Sequence, residues 1–201
     1  MDQNTKFVID ARVKRTIDNL EKNNIMAYYV ETEGEALKKI GELIPEGSTI
    51  GIGGSMTLFE IGAIDFIRKG NYKVFDRYEE GLTPADMKDI FRKSFSADAY
   101  LTSSNAITED GELYNVDGNG NRVAAMLYGP DKVIVIVGIN KLVKDLEQAI
   151  LRVEETAAPA NNKRLNKTNP CTKVGYCMDC NNAGRICNEY TLIKRQGVKG
   201  R

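Results

Sequence analysis

Four cysteines near the C-terminus carry the clearest chemical signal in the sequence. Cys171, Cys177, Cys180 and Cys187 follow the spacing C-x5-C-x2-C-x6-C, and the chain contains no other cysteine. The two residues between Cys177 and Cys180 allow both thiols to point at the same ion. We therefore expect the four thiolates to hold a metal centre. That centre is either a structural Zn²⁺ or an iron–sulfur cluster, which takes the same ligand set.

Two alternatives to a metal centre remain for these cysteines, namely a disulfide bond and free or catalytic thiols. The first ten residues, MDQNTKFVID, lack the apolar core of a signal peptide, so we expect a cytoplasmic protein with reduced thiols. In bacterial ferredoxin motifs a proline follows the last cysteine, whereas Pro170 precedes the first cysteine here. The motif therefore leaves the choice between zinc and an iron–sulfur cluster open.

The absence of histidine limits the chemistry available elsewhere in the chain. It excludes histidine-based catalytic triads and mixed cysteine–histidine zinc sites. Proton transfer then has to use Asp, Glu, Lys, Tyr, Cys or water. Glu109 and Asp110, in a segment rich in small polar residues (103–125), are the candidate catalytic acid and base. The alternative interpretation is a surface turn, because E-D-G is a common turn sequence.

A glycine-rich segment, IGIGGSMT (residues 50–57), is the candidate ligand-binding turn. We expect a strand to end at this segment, the chain to turn through Gly53 and Gly54, and a helix to begin near Ser55, with the glycines in left-handed conformations that let a ligand approach the main chain. Hydroxyl groups and the first N–H groups of a helix suit phosphate or carboxylate. The spacing matches no nucleotide-binding fingerprint. The alternative is a tight corner whose glycines serve packing alone.

The elements that would position these residues alternate between strands and helices. Apolar residues at three- and four-residue spacing predict helices over 6–23 and 141–155, and a T-x-x-E capping box at Thr32 and Glu35 predicts another. Short apolar runs predict strands over 25–30, 48–53, 97–104 and 132–138, and an edge strand over 112–116. The last of the four runs is apolar on both faces and is expected in the middle of the sheet. This order predicts an α/β fold with a mostly parallel sheet flanked by helices.

Polar or glycine-rich segments follow three of the predicted strands. Ligands bind at the carboxyl ends of strands in open parallel sheets, so we expect these segments to converge on one crevice. Arg122 and Lys141 would complement a small anionic metabolite there. The candidate ligand-binding residues are Gly53, Gly54, Ser55, Met56, Thr57, Asn105, Asp117, Asn121, Arg122, Gly138, Asn140 and Lys141.

Length and charge set the domain organisation and exclude some partners. The 201 residues fit one α/β domain over 1–157, followed by a linker and a small Cys-rich tail over 158–201. The formal net charge is zero, which gives no reason to expect nucleic acid or a membrane surface as a partner. The apolar runs are too short for a membrane-spanning helix. A homo-oligomer remains open.

Three segments together resemble the LUD-domain family of lactate-utilisation proteins. They are IGIGGSMT, the central run from Asn105 to Val143, and the cysteine motif of the tail. The resemblance implies a fold like that of ribose-5-phosphate isomerase, glucosamine-6-phosphate deaminase and the CoA transferases. In those proteins a glycine-rich turn after a strand holds phosphate or acyl groups, and the GIGGS turn looks like its counterpart. The Cys-bearing tail resembles that of short, single-domain members.

The resemblance also implies a role in lactate oxidation, where a LUD protein acts together with iron–sulfur partner proteins. Because the chain has no flavin or nicotinamide fingerprint, we expect an accessory subunit rather than a lactate-oxidising enzyme. Two alternatives remain. One is a stand-alone isomerase or transferase that acts on a sugar-phosphate or acyl substrate and carries a structural zinc. The other is a non-catalytic metabolite-binding protein.

Overall fold

The computed structural model describes residues 2–200. Its helices are Gln3–Lys22 (α1), Glu33–Leu43 (α2), Met56–Glu60 (α3), Ala63–Lys69 (α4), Pro84–Lys93 (α5), Asn121–Leu127 (α6), Leu146–Arg152 (α7), Ala158–Arg164 (α8) and Cys171–Val174 (α9). Its strands are Thr49–Ile52 (β1), Lys73–Phe75 (β2), Ala99–Thr102 (β3), Ala106–Thr108 (β4), Leu113–Asp117 (β5), Lys132–Val135 (β6), Leu142–Val143 (β7) and Glu189–Ile193 (β8). The elements fall into two compact units, each with its own four-stranded sheet.

The parallel-sheet unit comprises residues 28–103 and 121–138. Its sheet has the order β2-β1-β3-β6 with every pair parallel, and Gly51 in β1 lies opposite Phe75 and Tyr100 on the neighbouring strands. The apolar faces of α2, α3 and α4 pack against β1 and β3 to form the core. Its fully buried members include Ile40, Ile50, Ile52, Leu58, Ile64, Ile67 and Leu101. The predicted α/β fold with a mostly parallel sheet is confirmed.

The mixed-sheet unit comprises residues 2–27, 104–120 and 139–199. Its sheet has the order β7-β4-β5-β8, in which β4 and β5 form an antiparallel hairpin and β7 runs parallel to β4. The last strand, β8, comes from the chain beyond the cysteines and pairs antiparallel with β5. The predicted edge strand over 112–116 therefore lies inside this sheet. The sequence did not predict β8.

One strand prediction is wrong, and a second strand forms at a different place in its sheet than expected. The segment 25–30 forms no strand, and its large side chains at Met26, Tyr28 and Tyr29 are exposed, so its apolar character does not reflect burial. The run over 132–138 does form a strand, but β6 lies at the edge of the sheet and is only half-buried. The sequence of an apolar segment does not show which other elements pack against it. Apolar character alone therefore could not predict that the segment 25–30 is exposed or that β6 lies at the edge of its sheet.

The predicted helix over 141–155 begins later and continues further than expected. Residues 141–143 contribute a short turn and β7, and the helix starts at Leu146 behind an Asp145 cap. A π-helical turn over Val153–Ala157 then leads directly into α8. The polar segment that suggested a linker is therefore helical over Ala158–Arg164. The domain boundary between residues 157 and 158 stays a prediction.

Candidate functional site

The glycines within and directly after β1 allow close packing of neighbouring side chains. A Cβ atom on Gly51 would lie 2.8 Å from Cβ of Ser94, and one on Gly53 would lie 2.5 Å from Oγ1 of the buried Thr102. Neither residue, nor Gly54, has a positive φ. The expected left-handed conformations are therefore wrong, and packing accounts for Gly51 and Gly53.

Gly54 differs from the other two glycines because it is exposed and faces a cation. A Cβ atom at this position would lie 3.2 Å from Nη1 of Arg77, the mobile end of a long side chain. The main chain at Gly54 is thus open to solvent on a side bordered by a guanidinium group. This is the arrangement that a small anion needs to approach both a backbone and a positive charge.

Arg77 reaches this position because it lies two residues after β2, whose carboxyl end lies beside that of β1. The buried carboxylate of Asp76 fixes the turn, accepting hydrogen bonds from Nε of Arg68 at 2.7 Å and from the N–H of Tyr78 at 2.8 Å. The guanidinium of Arg77 then lies 4.8 Å from the ring centroid of Phe91. Cation–π contact with this ring holds the charge in place.

Ser55 completes the turn and has an unused hydroxyl group. Its N–H donates to the hydroxyl of Tyr78 at 3.4 Å, and Tyr78 in turn packs edge-on against Phe59 of α3. Oγ of Ser55 is buried and has no hydrogen-bond partner in the described chain. A buried polar atom of this kind is costly unless a ligand or water satisfies it.

The other residues predicted for this unit have mixed roles. Met56 is exposed and Thr57 is buried in the first turn of α3, while Asn121 begins α6 and Gly138 follows β6. Arg122 is buried, and its Nη1 donates to the carbonyl oxygen of Ser103 at 2.9 Å and contacts Sδ of Met126 at 3.7 Å. Nη1 of Arg122 therefore bonds within the protein rather than to a ligand.

The remaining predicted ligand-binding residues belong to the mixed-sheet unit. Arg152 brings two of them together, since its Nη1 donates to the carbonyl oxygen of Asn105 at 2.8 Å and its Nε donates to that of Asn140 at 3.0 Å. Burial lowers the pKa of this arginine. Asp117 accepts the N–H of Gly118, and Lys141 ends the short turn before β7. Convergence of all the polar segments on one crevice stays a prediction.

Glu109 and Asp110 occupy the turn of the β4–β5 hairpin. The turn closes with a hydrogen bond from Gly111 to Thr108 at 3.0 Å, and Gly111 adopts a left-handed φ of 79° against the backbone of α1. Glu109 accepts hydrogen bonds from Nε of Arg12 at 2.6 Å and from Nη2 of Arg15 at 2.7 Å. The hairpin turn explains the positions of Glu109 and Asp110, and the contacts with Arg12 and Arg15 give Glu109 a structural role.

The ionisation of Glu109 follows from these contacts. Burial alone would raise the pKa of its carboxyl group, but the hydrogen bonds from Arg12 and Arg15 outweigh burial and hold the pKa below its usual value. A carboxylate kept ionised by two guanidinium groups is a poor proton donor. Glu109 is therefore not part of the function proposed below. Asp110 is exposed, and its catalytic role stays a prediction.

All four cysteines belong to the mixed-sheet unit, and they form no disulfide bond. The pKa of the Cys187 thiol is raised to about 11, chiefly by burial and then by the charges of Cys177, Cys171 and Cys180, against the opposing effect of Arg185. The pKa of Cys171 is raised in the same way, by burial and then by Cys180 and Cys177. The thiols are thus close enough to oppose one another's ionisation.

Arg185 organises the loop that carries three of these thiols. Its Nη1 donates to the carbonyl oxygen of Cys180 at 2.6 Å, and its Nε donates to that of Cys187 at 2.7 Å. The N–H of Asp179 also donates to Sγ of Cys177 at 3.4 Å. Hydrogen bonds of this kind stabilise thiolate ligands and fix their orientation. Only the position of Arg185 between two cysteines could have indicated this role from the sequence.

The four thiol side chains are the type of ligand that a thiophilic metal prefers. All four side chains are thiols, two of them two residues apart, and a bound cation would reverse the mutual repulsion that opposes their ionisation. Across residues 2–200, no group of three or more His, Cys, Asp or Glu side chains is arranged to hold an ion. The ligand assignment of Cys171, Cys177, Cys180 and Cys187 therefore stays a prediction.

No helix within the described part of the chain is long and apolar enough to cross a membrane. Comparison with curated proteins and with solved structures finds no match. Comparison with family models does find one, the LUD domain, which matches residues 13–201. That range includes the glycine turn, the β4–β5 hairpin and the cysteine loop. The chain therefore belongs to the LUD-domain family.

Proposed function

We propose that this LUD-domain protein is an accessory component of lactate or 2-hydroxy-acid oxidation. In this role it holds an iron–sulfur cluster or Zn²⁺ on its four cysteines and binds a small anionic metabolite at the glycine turn. LUD domains are found in proteins associated with lactate utilisation, and membership of the family supports this context. The proposal places the protein in the cytoplasm together with iron–sulfur partner proteins.

One observation supports the metal-binding part of the proposal, namely that Arg185 donates hydrogen bonds to the carbonyl oxygens of both Cys180 and Cys187 and so ties two of the four cysteines into one loop. The charges of the other three cysteines also raise the pKa of the Cys187 thiol, and a bound cation would offset that effect. The residues that would hold the metal are Cys171, Cys177, Cys180 and Cys187. An iron–sulfur cluster would supply one-electron transfer to partner proteins, whereas zinc would only stabilise the loop.

The anion-binding part rests on the turn after β1. Gly54 is exposed, Oγ of Ser55 has no hydrogen-bond partner in the part of the chain that the structure describes, and a guanidinium group borders the same turn. These groups match the carboxylate of a 2-hydroxy acid, and equally a phosphate. The turn lies at the carboxyl ends of parallel strands, where α/β proteins commonly bind ligands.

An absorption spectrum of the anaerobically purified protein tests the proposal. A broad visible band that bleaches on reduction, together with iron and sulfide in the protein, is the result expected for an electron-transfer accessory component. A colourless protein with one zinc per chain would contradict the electron-transfer role and favour the stand-alone isomerase or transferase with a structural zinc.

A further inference from the structure

We infer that Arg77 is the residue that binds the charged group of the metabolite, a carboxylate or a phosphate, above the main chain of Gly54. This inference rests on the proposed anion site and assigns it a specificity-determining residue. Arg77 lies outside the segments in which the sequence indicated ligand contacts. It reaches the site from the end of β2, a three-residue strand beside β1.

No carboxylate among residues 2–200 neutralises the charge of Arg77. The guanidinium contacts the aromatic rings of Phe91 and Tyr78, at 4.8 and 5.6 Å from their centroids, but forms no ion pair or hydrogen bond with any residue in 2–200. Arg68 and Arg122 of the same unit differ from Arg77 in this respect, since Arg68 pairs with Asp76 and Arg122 donates to the carbonyl oxygen of Ser103. A half-buried cation without a carboxylate partner is therefore available to a ligand.

The surroundings of Arg77 restrict where its guanidinium can go. Phe91 lies against the group, and the turn that carries it is fixed by the two hydrogen bonds of Asp76. The group lies 3.2 Å from the place where any side chain at Gly54 would begin. A methyl group at Gly54 would therefore contact the guanidinium of Arg77, and the glycine leaves that group beside exposed main chain.

The ligand class follows from the donors present. A guanidinium fork donates two parallel hydrogen bonds to a carboxylate or a phosphate, and Ser55, the residue after Gly54, carries a hydroxyl without a partner among residues 2–200. Lysine would retain the charge without the fork. We therefore expect a small oxyanion to bind, with affinity that depends on Arg77 and with geometry that depends on the guanidinium plane.

Isothermal titration calorimetry of the full chain with L-lactate and, separately, with inorganic phosphate tests this inference. The variants are Arg77→Gln, Arg77→Lys and the control Arg92→Gln, which removes an equal charge from an exposed position one residue after Phe91. We expect Arg77→Gln to weaken binding about ten- to a hundredfold, because hydrogen bonds to charged groups contribute about 1.5–3 kcal/mol. Arg77→Lys should lose less, and Arg92→Gln should bind as the wild type does.

The two ligands distinguish the source of the oxyanion, since binding of lactate alone indicates a carboxylate and binding of phosphate alone indicates a phosphorylated metabolite. Unchanged affinity in Arg77→Gln, with binding abolished by Gly54→Val, would overturn the role of Arg77 and leave the proposed anion site intact. Absence of binding to the wild type would overturn both, while the metal content of the cysteines would still be judged separately. Melting curves of each variant confirm that it is folded.

Discussion

The main-chain N–H of Cys177 donates a hydrogen bond to the carbonyl oxygen of Glu154 at 2.8 Å. Glu154 lies in the π-helical turn, where Ala158 bonds to the carbonyl five residues before it, that of Val153. The next residue, Pro159, has no N–H, so the carbonyl of Glu154 is left without its π-helical donor. The proline thus makes available the acceptor that anchors the cysteine loop.

Replacing this proline tests that relationship. Pro159→Ala supplies an N–H that competes for the carbonyl of Glu154 or restores regular α-helical bonding. We expect the amide of Cys177 to exchange with deuterium faster in this variant, measured by hydrogen-exchange mass spectrometry. Pro84→Ala, at the start of α5, is the matched control and should leave that amide unchanged. Equal exchange in the wild type and Pro159→Ala would show that the proline does not anchor the loop.

The glycines of the turn should separate into two classes on substitution by alanine. Gly51→Ala and Gly53→Ala place a methyl group against buried side chains, and we expect each to lower the free energy of unfolding by about 1–3 kcal/mol. Gly54→Ala meets only the end of the Arg77 side chain and should cost about 0.5 kcal/mol or less. Urea denaturation measures all three. An equal loss at Gly54 would indicate that this glycine also serves packing.

The ion pairs of Glu109 predict a pH-dependent contribution to stability. Because the pKa of Glu109 is lower in the folded protein than its ordinary value of 4.5, its contribution is complete above pH 4.5 and disappears as pH falls through the lowered pKa. We expect Glu109→Gln to reduce the free energy of unfolding by about 1 kcal/mol at pH 7, a modest value because the Arg15 side chain is 57% exposed. Below the lowered pKa the difference should vanish.

Asp110→Asn is the control for this measurement, since Asp110 is exposed and its recorded hydrogen bond, to Asn23, uses the main-chain carbonyl. Its stability difference from the wild type should not follow the pH dependence seen at Glu109. A constant difference between Glu109→Gln and the wild type from pH 7 to pH 3 would contradict the ionic role of Glu109.

Arg185 should control how firmly the cysteine loop retains its metal. Loss of its hydrogen bonds to the carbonyl groups of Cys180 and Cys187 leaves the two ligand positions less constrained. We expect Arg185→Gln to weaken metal affinity about ten- to a hundredfold, as is typical for residues that orient ligands. Competition with a coloured chelator measures the change.

Asp179→Asn removes the ion pair of Arg185 with Asp179, whose side chain is 87% exposed, and serves as the control. It should change affinity little because exposed ion pairs contribute little. If Arg185→Gln retained metal as well as Asp179→Asn does, the loop would not depend on Arg185.

The features that the sequence predicted correctly are mostly local. The capping box of Thr32 and Glu35 forms as expected, because the hydrogen bonds that define it lie within one helical turn. The strands β1 and β3 were also predicted, since both are short and apolar, and β3 is fully buried.

The features that escaped prediction depend on distant partners. The pairing of β8 with β5 joins segments more than seventy residues apart, and no periodicity reports it. Arg77 was missed because β2 has only three residues, although the polar D-R-Y after K-V-F resembles the change after β1. The glycine at position 53 suggested a left-handed backbone. The structure shows instead that the nearby Thr102 side chain leaves no room for a Cβ atom at this position.

Native mass spectrometry of the anaerobically purified chain tests most directly the claim that the four cysteines form one metal centre. We expect a mass increase equal to one zinc ion or one iron–sulfur cluster per chain, and its loss or strong reduction in Cys180→Ser, with Cys171, Cys177 and Cys187 still present. A wild-type protein that carries no metal, even after incubation with zinc or with iron and sulfide, would contradict the account.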